Sequence, residues 1–278
     1  MKLIGYNEER KNFHLVRNLT DAEVTNYEKY TPIVAEARNR FKLFRILGSN
    51  FNEWTGYISS LLNSQVRNDE NDWLQLDRLL LNYLTCAYTI QEHFKASFQR
   101  RFRKDAVKLK EYSDFLDKLY HSAWAFAFYI DFRGYIQHCE LGIGNYQRQI
   151  SSTSVKINIT HDSAQLLADS KEWKRCKLTD KNGTLDLVKL LEEFHHHMLK
   201  SYGGYVAKSF FPELFPAAKF YANLTSEVLK IGPGFRMVFG EGEPQKTFEE
   251  GKQQMQLQLK LVPNDLLAEL GFSISPQN

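Results

Sequence analysis

Arg133 and His138 stand five positions apart in the segment Tyr129-Ile130-Asp131-Phe132-Arg133-Gly134-Tyr135-Ile136-Gln137-His138-Cys139-Glu140-Leu141. A guanidinium and an imidazole are two groups that metal-free RNA cleavage can use. The 2′-hydroxyl must lose a proton to attack the adjacent phosphorus, and the 5′-leaving oxygen must gain one. A histidine near its ordinary pKa of about 6.5 can do either job. Arginine matches phosphate geometry and stabilises charge on the non-bridging oxygens. Spacing alone is weak, because a chain with 8 histidines holds roughly one Arg-x(4–6)-His match by chance. On a helix, five steps of about 100° leave the two side chains about 140° apart. One helix face therefore cannot present both side by side.

The setting sharpens the pattern. The segment resembles the signature of the HEPN superfamily, in which Arg-x(4–6)-His sits at the start of a helix that follows a long apolar helix. Arg133-Gly134-Tyr135-Ile136-Gln137-His138 is similar to the Arg-Asn-Tyr-x-Gln-His form found in many members. The resemblance implies a helical bundle and a metal-independent endoribonuclease leaving 2′,3′-cyclic phosphate and 5′-hydroxyl ends, with no cofactor. Arg133 would stabilise the scissile phosphate and His138 would act as general acid and base. It also implies a homodimer, with two copies of the motif lining one cleft at the interface. A helix N-terminus there would add a favourable field for phosphate. Members are commonly toxins or phage-defence effectors, so an antitoxin or regulatory protein is an implied partner beside RNA. The alternative is a non-catalytic HEPN-like module that binds RNA or a protein. Gly134 departs from the pattern, since active members often carry Asn, Asp or His there.

Around the pair, each polar residue has two readings. Tyr135 stacks on a base or simply packs. Gln137 bonds a ribose or caps. Asp131 and Glu140 hold the histidine in one tautomer or stay solvated. Arg101, Arg103 and Lys104 end the clearest amphipathic helix, which begins at Trp73. Cations in a last turn favour the helix dipole, and the same cluster is a second candidate contact for RNA phosphate. His195-His196-His197 does not read as a metal site, because consecutive helical residues point in different directions. Cys86, Cys139 and Cys176 form no CxxC pair, which excludes a zinc ribbon and argues against a disulfide framework.

These residues need elements to position them. In 278 residues, 43% are hydrophobic and the formal net charge is +3, enough apolar material for a sizeable core and only a mild basic excess. No stretch approaches about 20 uncharged apolar residues, and no apolar leader opens the chain. The expectation is a cytoplasmic protein with no membrane partner.

Thr20-x-x-Glu23 fits a capping box that starts a helix, with Pro32 ending or kinking it. An aromatic stripe from Phe41 to Leu61 suits a second helix. Asp72 is a plausible N-cap for the third, which runs to Phe98. Phe115 to Ile130 reads as one helix delivering the chain to Arg133. Val155, Ile157 and Ile159 alternate as a strand, with Trp173–Leu178 as its partner. A long helix follows from about Thr184, Phe235–Phe239 and Met255–Leu261 read as strands, and Asn264 caps a short terminal helix. The predicted fold is mostly α: a HEPN-like bundle over 20–210 with a short β insertion near 153–180, then a mixed α/β extension over 211–278 packed on it. The β component is expected only after residue 150.

Overall fold

The computed structural model describes residues 1–64, 69–140, 142–151, 153–241 and 258–260. Its elements in chain order are β1 (Lys2–Asn7), β2 (Asn12–Asn18), α1 (Asp21–Arg40), α2 (Lys42–Asn63), α3 (Asp69–Arg101), α4 (Ala106–Ser122) and α5 (Trp124–His138). There follow β3 (Asn145–Ile150), β4 (Val155–Asp162), α6 (Ser163–Asp169), β5 (Thr184–Asp186), α7 (Leu187–His197), a π-helical turn (Met198–Gly203), α8 (Gly204–Phe210), α9 (Leu214–Leu229), β6 (Phe235–Glu241) and β7 (Gln258–Lys260). The fold is mostly α, with two small sheets among the described residues. No helix among the described residues is long and apolar enough to cross a membrane.

The chain divides into two compact units, Met1–Lys42 with Ala207–Asn278, and Leu43–Val206. This differs from the expected division at residue 210. The difference starts at the N-terminus, where β1 and β2 form an antiparallel hairpin that periodicity left unassigned. β1 pairs antiparallel with β6, more than two hundred residues away in sequence, giving the order β2-β1-β6-β7. The β component therefore begins well before residue 150.

In this first unit the Thr20 capping box forms as expected and opens α1. Pro32 does not end that helix. An interior proline costs about 3 kcal/mol, and burial of Tyr27, Val34 and Ala37 offsets it. Tyr27 and Tyr221 meet Phe239 edge-on, and the Thr31 and Tyr221 hydroxyls are 2.9 Å apart. Arg17 spans Glu23 and Glu227 at 2.7 and 2.8 Å. Hydrogen bonding to Arg17 holds the Glu23 carboxyl down at about 2. A depressed carboxylate stabilises the fold above its unfolded pKa of about 4.3 and loses that contribution as pH falls towards 2. Glu23→Gln should therefore narrow its stability deficit against wild type between pH 5 and about 2 in urea titrations. A deficit independent of pH would contradict the ion pair.

The second unit holds α2 to α7 and a three-stranded sheet of order β3-β4-β5. Trp173–Leu178 is not a strand; β4 pairs with β3 and β5 instead. The reason is visible in the hydrogen bonds. Arg175 and Cys176 give their backbone N–H groups to the Asp131 carboxylate, and the Trp124 indole donates to the Cys176 carbonyl. Those backbone groups are spent on α5 side chains and cannot enter a ladder.

Asp72 does not cap α3, which begins at Asp69. It is buried within the helix and accepts from the Tyr57 hydroxyl at 3.0 Å. Arg148 on β3, with 1% of its side chain exposed, lies 3.5 Å from Asp72 and donates to the Leu61 and Ser64 carbonyls. α7 begins at Leu187 with Asp186 as its cap, so Thr184 belongs to β5. Gln258–Lys260 is a strand, while the rest of the expected strand and terminal helix lies outside the described residues.

Candidate functional site

The expected helix from Phe115 to Ile130 is two helices. Ala123, at φ −129° and ψ 87°, separates α4 from α5. α5 then runs unbroken through Asp131, Phe132 and Arg133 to His138. No new helix begins at the motif. Asp131 is the residue able to cap one there, but its carboxylate is committed to Arg175 and Cys176. Arg133 and His138 thus occupy the C-terminal end of a helix, not its mouth. The partial charge at that end is negative and favours cations, so the expected N-terminal field for phosphate is absent from this turn.

Aromatic packing sets the pose of α5. Its residues from Ala125 to Phe132 are all buried, as is Tyr135. Phe128, Phe132, Tyr135 and Trp173 form a stacked series against which His161 stands edge-on. Gly144 allows this, since a Cβ there would lie 2.9 Å from the His161 ring. Burial lowers the His161 pKa.

Arg133 is half-buried. Its guanidinium carbon sits 3.7 Å from the centroid of the Tyr88 ring on α3. Its Nε is buried without a hydrogen-bond partner, and no carboxylate pairs with it among the described residues. A guanidinium stacks through its face and hydrogen-bonds through its edge. The guanidinium lies over the Tyr88 ring, and its terminal N–H donors have no hydrogen-bond partner among the described residues. His138 and Gln137 are exposed. Gly134 is helical, and a Cβ there meets nothing within 4 Å. Gly134→Ala should raise stability by roughly 0.5–1 kcal/mol, the helical difference between the two residues, measured by urea unfolding. A less stable variant would mean that another surface covers this position.

The remaining candidates separate from the pair. Tyr135 packs: the residue is 2% exposed and its hydroxyl donates to Asp169 at 3.1 Å. Asp131 holds the Arg175–Cys176 turn rather than the histidine. Arg101 is the last residue of α3, about 20 Å along the helix from Tyr88 at about 1.5 Å per residue. Arg101, Arg103 and Lys104 are exposed there and form no single patch with Arg133. His195, Nδ1 2.9 Å from the Tyr83 hydroxyl, stacks flat on Phe51 at 3.9 Å. Burial pushes its pKa down to about 4. It packs among rings, and no metal-holding group of three or more His, Cys, Asp or Glu occurs among the described residues.

Two contributors escaped the sequence reading. Tyr88 was legible only as an apolar position of the α3 stripe. Asp169 carried no signal, because its partner Tyr135 is far away in the chain. Comparison with known families, curated proteins and solved structures finds no match to this chain.

Proposed function

We propose that this chain is a metal-independent endoribonuclease of the HEPN type, acting as a homodimer with Arg133 and His138 at the shared cleft. The observation that carries the reading is Arg133, stacked on Tyr88 and free of any carboxylate among the described residues, on the same helix end as exposed His138. A preoriented guanidinium without an anionic partner suits a phosphate. An imidazole open to solvent suits proton transfer.

In the reaction, the 2′-oxygen gives its proton to an imidazole and bonds to phosphorus. The bond to the 5′-oxygen breaks, and that oxygen takes a proton. Arg133 offsets charge on the non-bridging oxygens. Two chains supply two histidines, so base and acid need not be one group. By the resemblance, RNA is the substrate and an antitoxin or regulatory protein restrains a defence or toxin role.

A second reading is favoured by the negative helix end and by Gly134: a non-catalytic module that binds RNA or a protein. One experiment separates the two. Wild type, Arg133→Ala and His138→Ala are incubated with structured and unstructured RNA in excess EDTA. Cleavage by wild type alone, leaving cyclic phosphate ends, supports the nuclease. RNA retention without cleavage supports the binding module. Equal background from all three sinks the nuclease, and cleavage lost in EDTA contradicts the metal-free route.

A further inference from the structure

We propose that Asp169 is a positioning residue for His138, holding the last turn of α5 through the Tyr135 hydroxyl and the Cys139 thiol. The inference rests on the assignment of His138 to proton transfer.

His138 is the last residue of α5, and Cys139 is its C-cap, with its N–H bonded to the Tyr135 carbonyl at 2.8 Å. The turn that carries the imidazole therefore runs from Tyr135 to Cys139. Both ends of that turn reach one residue. The Tyr135 hydroxyl donates to Asp169 Oδ2 at 3.1 Å, and Cys139 Sγ lies 3.8 Å from the Asp169 carbonyl oxygen. Asp169 ends α6, whose own start is fixed by the Asp162 side chain accepting from Ala164 and Gln165. The next segment is fixed too, because the Trp173 indole donates to the Leu166 and Ser170 carbonyls. Asp169 is thus a post in a hydrogen-bonded segment rather than a loop side chain.

The Tyr135 ring cannot swing to another acceptor. Phe132 stacks on it at 5.8 Å, Trp173 lies at 5.6 Å, and His161 meets its edge at 5.8 Å. A helix end otherwise frays. A post that binds both ends of the final turn limits that fraying where His138 must hold its geometry.

The test combines kinetics with an observation that needs no activity. Tyr135→Phe removes one oxygen and keeps the ring; Asp169→Ala removes the acceptor; Asp169→Asn still accepts a hydrogen bond. Nitrogen-edited NMR of the His138 imidazole and RNA cleavage in EDTA are measured on the full chain. The expected result is a His138 signal that moves or broadens in Tyr135→Phe and Asp169→Ala and returns towards wild type in Asp169→Asn. Turnover should fall about tenfold in the first two with KM unchanged, as for a misplaced catalytic group. Unmoved His138 signals overturn the proposal, as does a lowered melting point with turnover unchanged, which marks plain packing. If wild type cleaves no RNA, the nuclease reading fails by itself, and the His138 signals alone decide whether Asp169 positions the turn.

Discussion

His138→Ala should reduce EDTA-resistant RNA cleavage by about 10²–10⁴-fold without unfolding the protein. The magnitude is that of a positioned acid or base in the transition state. The fold should survive because His138 is exposed and its side chain makes no hydrogen bond, ion pair or ring contact among the described residues. Arg133→Ala should cost about 10²–10³-fold, the scale of removing one preorganised donor. It should also disturb stability slightly, since the guanidinium covers the Tyr88 ring. Arg133→Lys should restore little, because an ammonium has no plane to stack and no fork for phosphate. The measurement is single-turnover cleavage with mass analysis of the ends. Cleavage at wild-type rate by His138→Ala, in protein with an unchanged melting point, would remove the histidine from the chemistry.

Asp131→Ala should destabilise the second unit by about 3 kcal/mol. The carboxylate is fully buried and accepts from Arg175 N at 2.7 Å, Cys176 N at 3.1 Å and the Arg175 guanidinium at 2.8 Å. Losing one partner of a buried ion pair costs about 3–5 kcal/mol. Here the Arg175 side chain is 48% exposed and can return to water. The loss therefore comes chiefly from two backbone N–H groups left without an acceptor, at about 1–3 kcal/mol each. Asp131→Asn keeps one acceptor oxygen and should lose about half as much. Urea unfolding followed by tryptophan emission reads both, since Trp124 and Trp173 flank the turn. A loss under about 1 kcal/mol for Asp131→Ala would show that the turn finds other partners. The same variant should weaken RNA cleavage only through lost folded protein, because the Asp131 carboxylate is bonded to Arg175 and Cys176 and makes no hydrogen bond to His138 two turns further on.

The two predictions separate neighbours that look alike in sequence. Asp131 and His138 both flank the motif, both are polar, and both lie on α5. One is a buried tie between α5 and the Arg175–Cys176 turn. The other stands in solvent. Seven positions put both on nearly one helix face, two turns apart, and the sequence does not reveal which turn is covered, because burial depends on what packs there.

Much of the framework was legible. The Thr20-x-x-Glu23 box, the stripe from Trp73 to Phe98, and the alternation at Val155–Ile159 are local signals, and local backbone preference suffices to read them. The mostly α class follows from them. The hairpin β1–β2 was not legible, since Met1–Asn18 has little clean alternation and β1 is stabilised by β6 at the other end of the chain. Pro32 does not end α1 because burial of the surrounding face outweighs the local penalty. Trp173–Leu178 was misread because side chains of α5 claim its backbone groups.

For the candidate site, the sequence by itself determined the residue types: an arginine and a histidine at a spacing that resembles a nuclease motif, next to Gly134 where a polar residue often stands. It also determined that one helix face cannot hold both. Tertiary structure alone decided the rest. It set the Arg133 guanidinium over the Tyr88 ring with no carboxylate partner among the described residues, buried Tyr135 against Trp173 and tied it to Asp169, and put the pair at the end of a helix rather than its start. The physical reason is that type and spacing are carried along the chain, whereas field, burial and hydrogen-bond partners come from segments that meet only after folding.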